Sequence, residues 1–244
     1  VALPHLFPPT RPVIMLGFPL QGAIVVIDPG HGGIDSGVTS NRIEEKNITL
    51  AVSLELGKLL EQAGATPILT RCRDEDISYL LPEGTDSRYR RDIKARVKII
   101  NESGADLFIS IHIDSCTDPS IRGAIAFHNQ EHPKNKLLAE TVQKHLNPVV
   151  NRNVQPGEYV HQDIKEGSYY ILNEATVPGI IMEIAFMTNP TDRELIVQKG
   201  YQRRVAQALF MGILEYLHIH DQEQGTEQKP VPESESGSGV GHQG

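Results

Sequence analysis

Residues 23–33 read AIVVIDPGHGG, an apolar run that passes straight into a proline- and glycine-rich turn. A short apolar stretch bounded by turn residues fits a strand buried on both faces, the kind found in parallel sheets. Gly30, Gly32 and Gly33 let the backbone turn tightly and leave space beside the imidazole of His31. The C-terminal ends of parallel strands are where α/β folds assemble their sites. His31 is therefore placed to point into a cleft.

Outward from this turn, strand and helix patterns alternate. Residues 47–63 carry Ile48, Val52, Leu56, Leu59, Leu60 and Ala63 at helical spacing, and Gly64 ends them. TPILT (66–70) reads as a strand, followed by a polar loop through Gly84 and a helix through Val97 and Ile100. ADLFISIH (105–112) is a second buried strand, and GAIAFH (123–128) a further one. Lys134 to Leu146 puts Leu137, Leu138, Thr141, Val142, His145 and Leu146 on one helical face. An irregular segment (148–167), strands at 168–172 and 179–185, and helices from Thr191 and over Tyr201–His218 complete the body. The alternation predicts an α/β fold: a mostly parallel twisted sheet with helices on both faces.

Three more residues share the placement of His31. Glu45 lies in RIEEKNITL (42–50), at the start of the first helix; His112 ends the second buried strand; Glu183 sits inside GIIMEIAF (179–186). Singly, a His after a strand is usually structural, and a Glu at a helix start is usually solvated. Glu183 resists that reading, because a carboxylate among such apolar neighbours is rarely buried without a partner. Two imidazoles and one carboxylate suit a zinc ion that keeps a position open for water. The remaining carboxylate is then available as a general base. His218 and His220 sit at a helix end, where basic residues serve the dipole. His128 and His161 read as ordinary polar residues near a cleft.

The chain has 244 residues, 39% of them hydrophobic, enough for one substantial core. It divides into a Pro-rich segment (1–22), a body (23–220) and an acidic tail (221–244) whose composition predicts disorder. Half of the net charge of −8 belongs to that tail, and no basic patch with interleaved aromatics is present, which disfavours nucleic acid as a partner. Cys72 and Cys116 form no CxxC pattern, and the sequence leaves a disulfide and two free thiols equally open. VIMLGF (13–18) is too short to span a bilayer and lacks the flanks of a signal peptide, so any leader or anchor is expected outside this chain.

DPGHGGIDSG (28–37), EEKNITL (44–50), LTR (69–71), ADLFISIH (105–112) and MEIAFMTNP (182–190) together resemble the zinc-dependent N-acetylmuramoyl-L-alanine amidases of the type 3 family. The resemblance runs from about residue 23 to 219. LPEGTDSRYRRDIKARVKIIN (81–101), with VPG before the final strand, is most similar to the germination-specific, spore-cortex subgroup. It implies a phosphorylase/hydrolase-like amidase fold with one zinc held by His31, Glu45 and His112, and with Glu183 as the catalytic carboxylate. Arg71 and Asp114 are candidate substrate contacts, although an ion pair holding its loop is an equal reading for Arg71. Asp114 stands where the family commonly has Asn, and Ala185 where it commonly has Gly.

The implied reaction is hydrolysis of the amide between N-acetylmuramic acid and L-alanine in peptidoglycan, serving muramic-lactam formation in the spore cortex. The implied location is extracytoplasmic, at the cell envelope or spore cortex. An envelope or spore partner is expected to activate the chain by ordering the 148–167 segment. The competing reading is a catalytically weak peptidoglycan-binding or assembly module of the same fold. A phosphate-cradling role for GHGG is weak, since the loop lacks GxGxxG and the Lys-Ser/Thr pair of a P-loop.

Overall fold

The structure, a computed structural model, describes residues 19–152 and 154–227. The first strand, β1 (Ile24–Pro29), leads through two short paired strands, β2 (Thr39–Ser40) and β3 (Ile43–Glu44), into helix α1 (Glu45–Gln62). Next come β4 (Thr66–Leu69), helix α2 (Arg88–Glu102) and β5 (Leu107–Asp114). Strands β6 (Ile121–Gly123) and β7 (Ile125–His128) precede helix α3 (Asn135–Val150). Strands β8 (Tyr159–His161) and β9 (Lys165–Glu166) and the short helix α4 (Tyr170–Glu174) lead to β10 (Gly179–Phe186). Helices α5 (Pro190–Ile196) and α6 (Lys199–Glu227) close the fold.

The main sheet has the order β4-β1-β5-β10-β7-β9. Its first four strands run parallel, and β7 joins β10 antiparallel. The pleat sends alternate residues to opposite faces. Val25, Ile27, Ile109 and Ile111 face one core with Val52, Leu56 and Leu60 of α1, Leu138 and Val142 of α3, and Val205 and Leu209 of α6. Val26, Phe108 and Ile181 face a second, smaller core with Val97 and Ile100 of α2 and Ile171 and Leu172 of α4. Helices cover both faces, as the alternation predicts.

That smaller face becomes polar toward the C-terminal ends of the strands. Following every second residue, Val26 gives way to Asp28, Phe108 to Ser110 and His112, and Ile181 to Glu183. The register aligns Asp28 with Ser110, Ile181 with Ser110, and Glu183 with His112. A bulge in the β5–β10 pairing follows between Glu183 and Phe186; such irregularities re-aim side chains beside sites.

Several expectations are corrected. Residues 168–172 are not a strand: Tyr170–Glu174 is one helical turn, with Ile171 and Leu172 in the smaller core. β10 is already flanked by β5 and β7, so this segment cannot pair with the strand it leads into. The 148–167 segment is less irregular than expected. Helix α3 runs on to Val150, and β8 and β9 pair with β6 and β7. The fully buried Arg122 secures it, bonding Asp192 and Glu158 at 3.0 Å each.

Leu20 is buried in the main core and donates its N–H to Ala63 at 3.0 Å, so the body begins before Ala23. Helix α6 carries seven residues of the expected acidic tail, to Glu227. The rest of that tail, 228–244, and residues 1–18 lie outside the described residues. Cys72 is exposed, Cys116 is half-buried, and both are free thiols.

Candidate functional site

The loop after β1 is strained and heavily braced. His31 has φ 60°, in the left-handed region that β-carbon sterics disfavour. Such a conformation persists only where its surroundings over-determine it. Here three buried cations cap the carbonyls of the turn. Arg71 donates to Pro29 O at 3.0 Å and Gly30 O at 2.8 Å. Arg96 donates to Pro29 O and His31 O, each at 2.7 Å, and Lys46 to Gly33 O at 2.7 Å.

Arg71 thus braces the turn. It is 2% exposed, and its remaining donors go to Arg73 O, Lys46 O and the Thr49 hydroxyl. Arg96 and Asp28 form the second support, at 2.6 Å. Burial alone would raise the Asp28 carboxyl, but Arg96 and the hydroxyls of Ser110 and Thr70 pull it down to about 2. A carboxyl depressed on folding contributes stability that is complete above about pH 4 and is lost as pH falls toward 2. Arg96→Leu strands this buried carboxylate, and unfolding in denaturant should show a loss of about 3–5 kcal/mol. An unchanged midpoint would mean the pair holds nothing together.

On this frame His31, Glu45 and His112 converge. His31 Nε2 lies 3.2 Å and His112 Nδ1 3.0 Å from Glu45 Oε1. Ligand atoms of the three lie within 4.8 Å of one another, the one such metal-competent group among the described residues. Tetrahedral zinc with bonds near 2.0–2.1 Å sets its donors about 3.3 Å apart, and the two His–Glu separations fit that. The surroundings fit as well. Asp35 Oδ2 lies 2.8 Å from His31 Nδ1 and accepts a hydrogen bond from it, which keeps the proton on Nδ1 and leaves Nε2 free to ligate. Val38 N–H and Ile113 N–H, at 2.8 and 2.9 Å, fix the two oxygens of Glu45.

Burial disfavours the Glu45 carboxylate, yet His112 and His31 outweigh it and hold the group well below the usual range. Burial likewise disfavours a charged His31, and the carboxylates of Glu45 and Asp35 overcome it to raise that imidazole. A glycine closes the cage: a β-carbon on Gly37, at φ +65°, would lie 2.4 Å from Glu45 Oε2 and 2.6 Å from His31 Cδ2. Gly37→Ala is expected to weaken zinc binding about 10–100-fold, the range for disturbed ligand support, read by competition against a chromogenic chelator. Undiminished affinity would show that the cage tolerates the intrusion.

Glu183 stands beside His112 across the β5–β10 pairing. It opens onto a cavity of about 310 Å³ that His31, His112, Tyr169 and Arg88 also line. Its Oε2 is buried and accepts no hydrogen bond. Burial, then the charges of Asp114 and Glu45, push its pKa well above the ordinary value. Asp114, at the end of β5, accepts from Ser115 N–H at 2.7 Å and acts on Glu183 through its charge. His128 is buried, and His161 stacks on Phe186 at 5.6 Å. The sequence reading missed Asp28, Asp35 and Arg96. Asp35, four residues after His31 in HGGID, is the one a local signal could have found.

An α/β sheet whose strand ends, with the first turn of α1, present a His–Glu–His cluster beside a buried carboxylate defines a hydrolase-like class with a candidate metal centre. The sequence profile of the N-acetylmuramoyl-L-alanine amidase family matches residues 25–215. The chain belongs to that family. A germination-specific N-acetylmuramoyl-L-alanine amidase of Bacillus subtilis is 34% identical over 202 residues, covering 82% of this chain and 81% of that protein. The amidase AmiA of Escherichia coli is 26% identical over 245 residues, covering 84% of this chain and 80% of its own. The solved CwlD amidase of Clostridioides difficile, in complex with the GerS lipoprotein, superposes with a TM-score of 0.71 at 29% identity, covering 81% of this chain and 99% of that one.

Proposed function

We propose that this chain is a zinc-dependent N-acetylmuramoyl-L-alanine amidase of the spore cortex, cleaving the amide between the lactyl group of N-acetylmuramic acid and L-alanine toward muramic-lactam formation. The observation that carries the reading is the convergence of His31, Glu45 and His112 next to Glu183. Bound zinc would polarise the scissile carbonyl and lower the pKa of a water to about 7. His31, Glu45 and His112 would hold the ion, with Asp35 fixing the tautomer of His31. Glu183 takes the proton of the attacking water and passes it to the departing alanine nitrogen. A raised pKa suits it to both halves of that transfer. Asp114, beside Glu183, is the remaining candidate substrate contact.

The germination-specific relative supports the cortex assignment, and the lipoprotein complex of the structural relative supports an envelope partner protein. The substrate places the chain outside the cytoplasm. No helix of the described residues is long and apolar enough to cross a membrane. An intact candidate ligand set and Glu183 count against a weak binding module. Mass spectrometry of digested cortex peptidoglycan tests the proposal: peptides with new N-terminal alanine should form, vanish with chelator and return with zinc. Undiminished release under chelation would refute zinc dependence, and no release with zinc present would refute the activity.

A further inference from the structure

The cavity before Glu183 has an apolar and aromatic wall, with Ile93, Ile181, Tyr169 and Tyr170, and a set of carboxylates, Asp28, Asp35, Asp76 and Asp92, along with Glu183 itself. Two arginines face them. Arg96 is 4% exposed and spent on Asp28, Asp92 and the carbonyls of Pro29 and His31. Arg88, the first residue of α2, is different. Its side chain is 32% exposed, and one terminal nitrogen pairs with Asp76 at 3.0 Å. Its Nε is buried and has no acceptor. A guanidinium offers five donors in a planar fork that matches a carboxylate, and the protein satisfies only part of this one.

The chemistry of the substrate says which side would supply a carboxylate. On the sugar side the lactyl carboxyl is consumed in the scissile amide itself, so a free carboxylate near the reaction centre belongs to the peptide. Extended peptide advances about 3.3–3.6 Å per residue, so the cavity takes only the first residue or two beyond the broken bond. We propose that Arg88 is a specificity-determining residue that binds a free carboxylate on the peptide side of the scissile amide, with Asp76 holding the guanidinium in place. This rests on the amidase reading and names what that site selects.

The test uses the zinc-loaded full chain and two soluble N-acetylmuramoyl-L-alanyl peptides, identical except that the carboxyl next to the alanine is free in one and a carboxamide in the other. Wild type should prefer the free carboxylate by about 10–100-fold in kcat/KM, as for hydrogen bonds to a charged group. Arg88→Gln should collapse that preference to below about threefold, mostly through KM, with zinc content and melting temperature preserved. Arg88→Lys, keeping the charge but not the fork, should restore part of it. Calorimetry with the two released peptides provides a readout apart from turnover: wild type should bind the carboxylate form more tightly, and Arg88→Gln should bind both alike. Equal treatment of the two compounds by wild type, or a preference that survives in Arg88→Gln, overturns the proposal. Failure of wild type to cleave either compound overturns the amidase reading instead, and is seen before any variant is compared.

Discussion

Glu183→Gln is expected to lower the rate of amide hydrolysis by at least about 100-fold, the usual contribution of a positioned general base. Gln is nearly isosteric and cannot accept the proton of an attacking water. The substitution should be mild for the fold, because Oε2 accepts no hydrogen bond that would be broken. It also removes a charge that burial, Asp114 and Glu45 all disfavour, which is what the raised pKa reports. Melting temperature and zinc content should therefore stay close to wild type while turnover collapses. Near-normal turnover would move the base elsewhere. Glu44 is then the first to test, although it is the more solvated of the pair and bonds Asn47 at 3.0 Å.

His112→Ala should remove most bound zinc and, with it, most activity. A zinc ion held by three protein groups leaves its fourth position to water, so losing one group leaves two and an open coordination sphere. His112 is the cleaner choice among the three. Glu45→Ala would orphan the buried N–H of Ile113, costing about 1–3 kcal/mol, and the half-buried N–H of Val38 as well. His31→Ala would release the strained turn. His112 packs its ring over Gly30, where a β-carbon would lie within 2.4 Å of it; among the described residues its side chain hydrogen-bonds Glu45 and meets the His31 ring edge-on at 4.8 Å. Elemental analysis of the purified variant decides the matter: full zinc occupancy would show that His112 is not a ligand.

The candidate ligands were legible because each ends or begins an element whose period is plain in the sequence. His31 and His112 follow apolar strand runs, Glu45 opens an amphipathic helix, and Glu183 is a carboxylate where burial makes one costly. What holds them was not legible. Arg71 follows a strand, where a substrate contact would be expected, and only the carbonyls it caps identify it as a brace. Asp28 and Arg96 are far apart in sequence, and their pairing exists only once β1 and α2 pack together. The aromatic and β-branched residues of 168–172 suit a strand, but β10, the strand they lead into, is already paired on both sides. The 148–167 segment looked irregular because its order comes from Arg122, also remote in sequence.

The division of labour along the chain has an evolutionary corollary. Every candidate reaction residue comes from β5, β10, the turn after β1 or the first turn of α1, whereas Asp76, Arg88 and Tyr89 all come from the single crossover that joins β4 to β5. That crossover can be lengthened, shortened or rewritten without touching a ligand, provided Arg96 remains. A lineage could therefore change which wall polymer it trims while inheriting its chemistry intact. Grafting residues 73–91 onto a relative of different preference should carry the preference across and leave the metal behind.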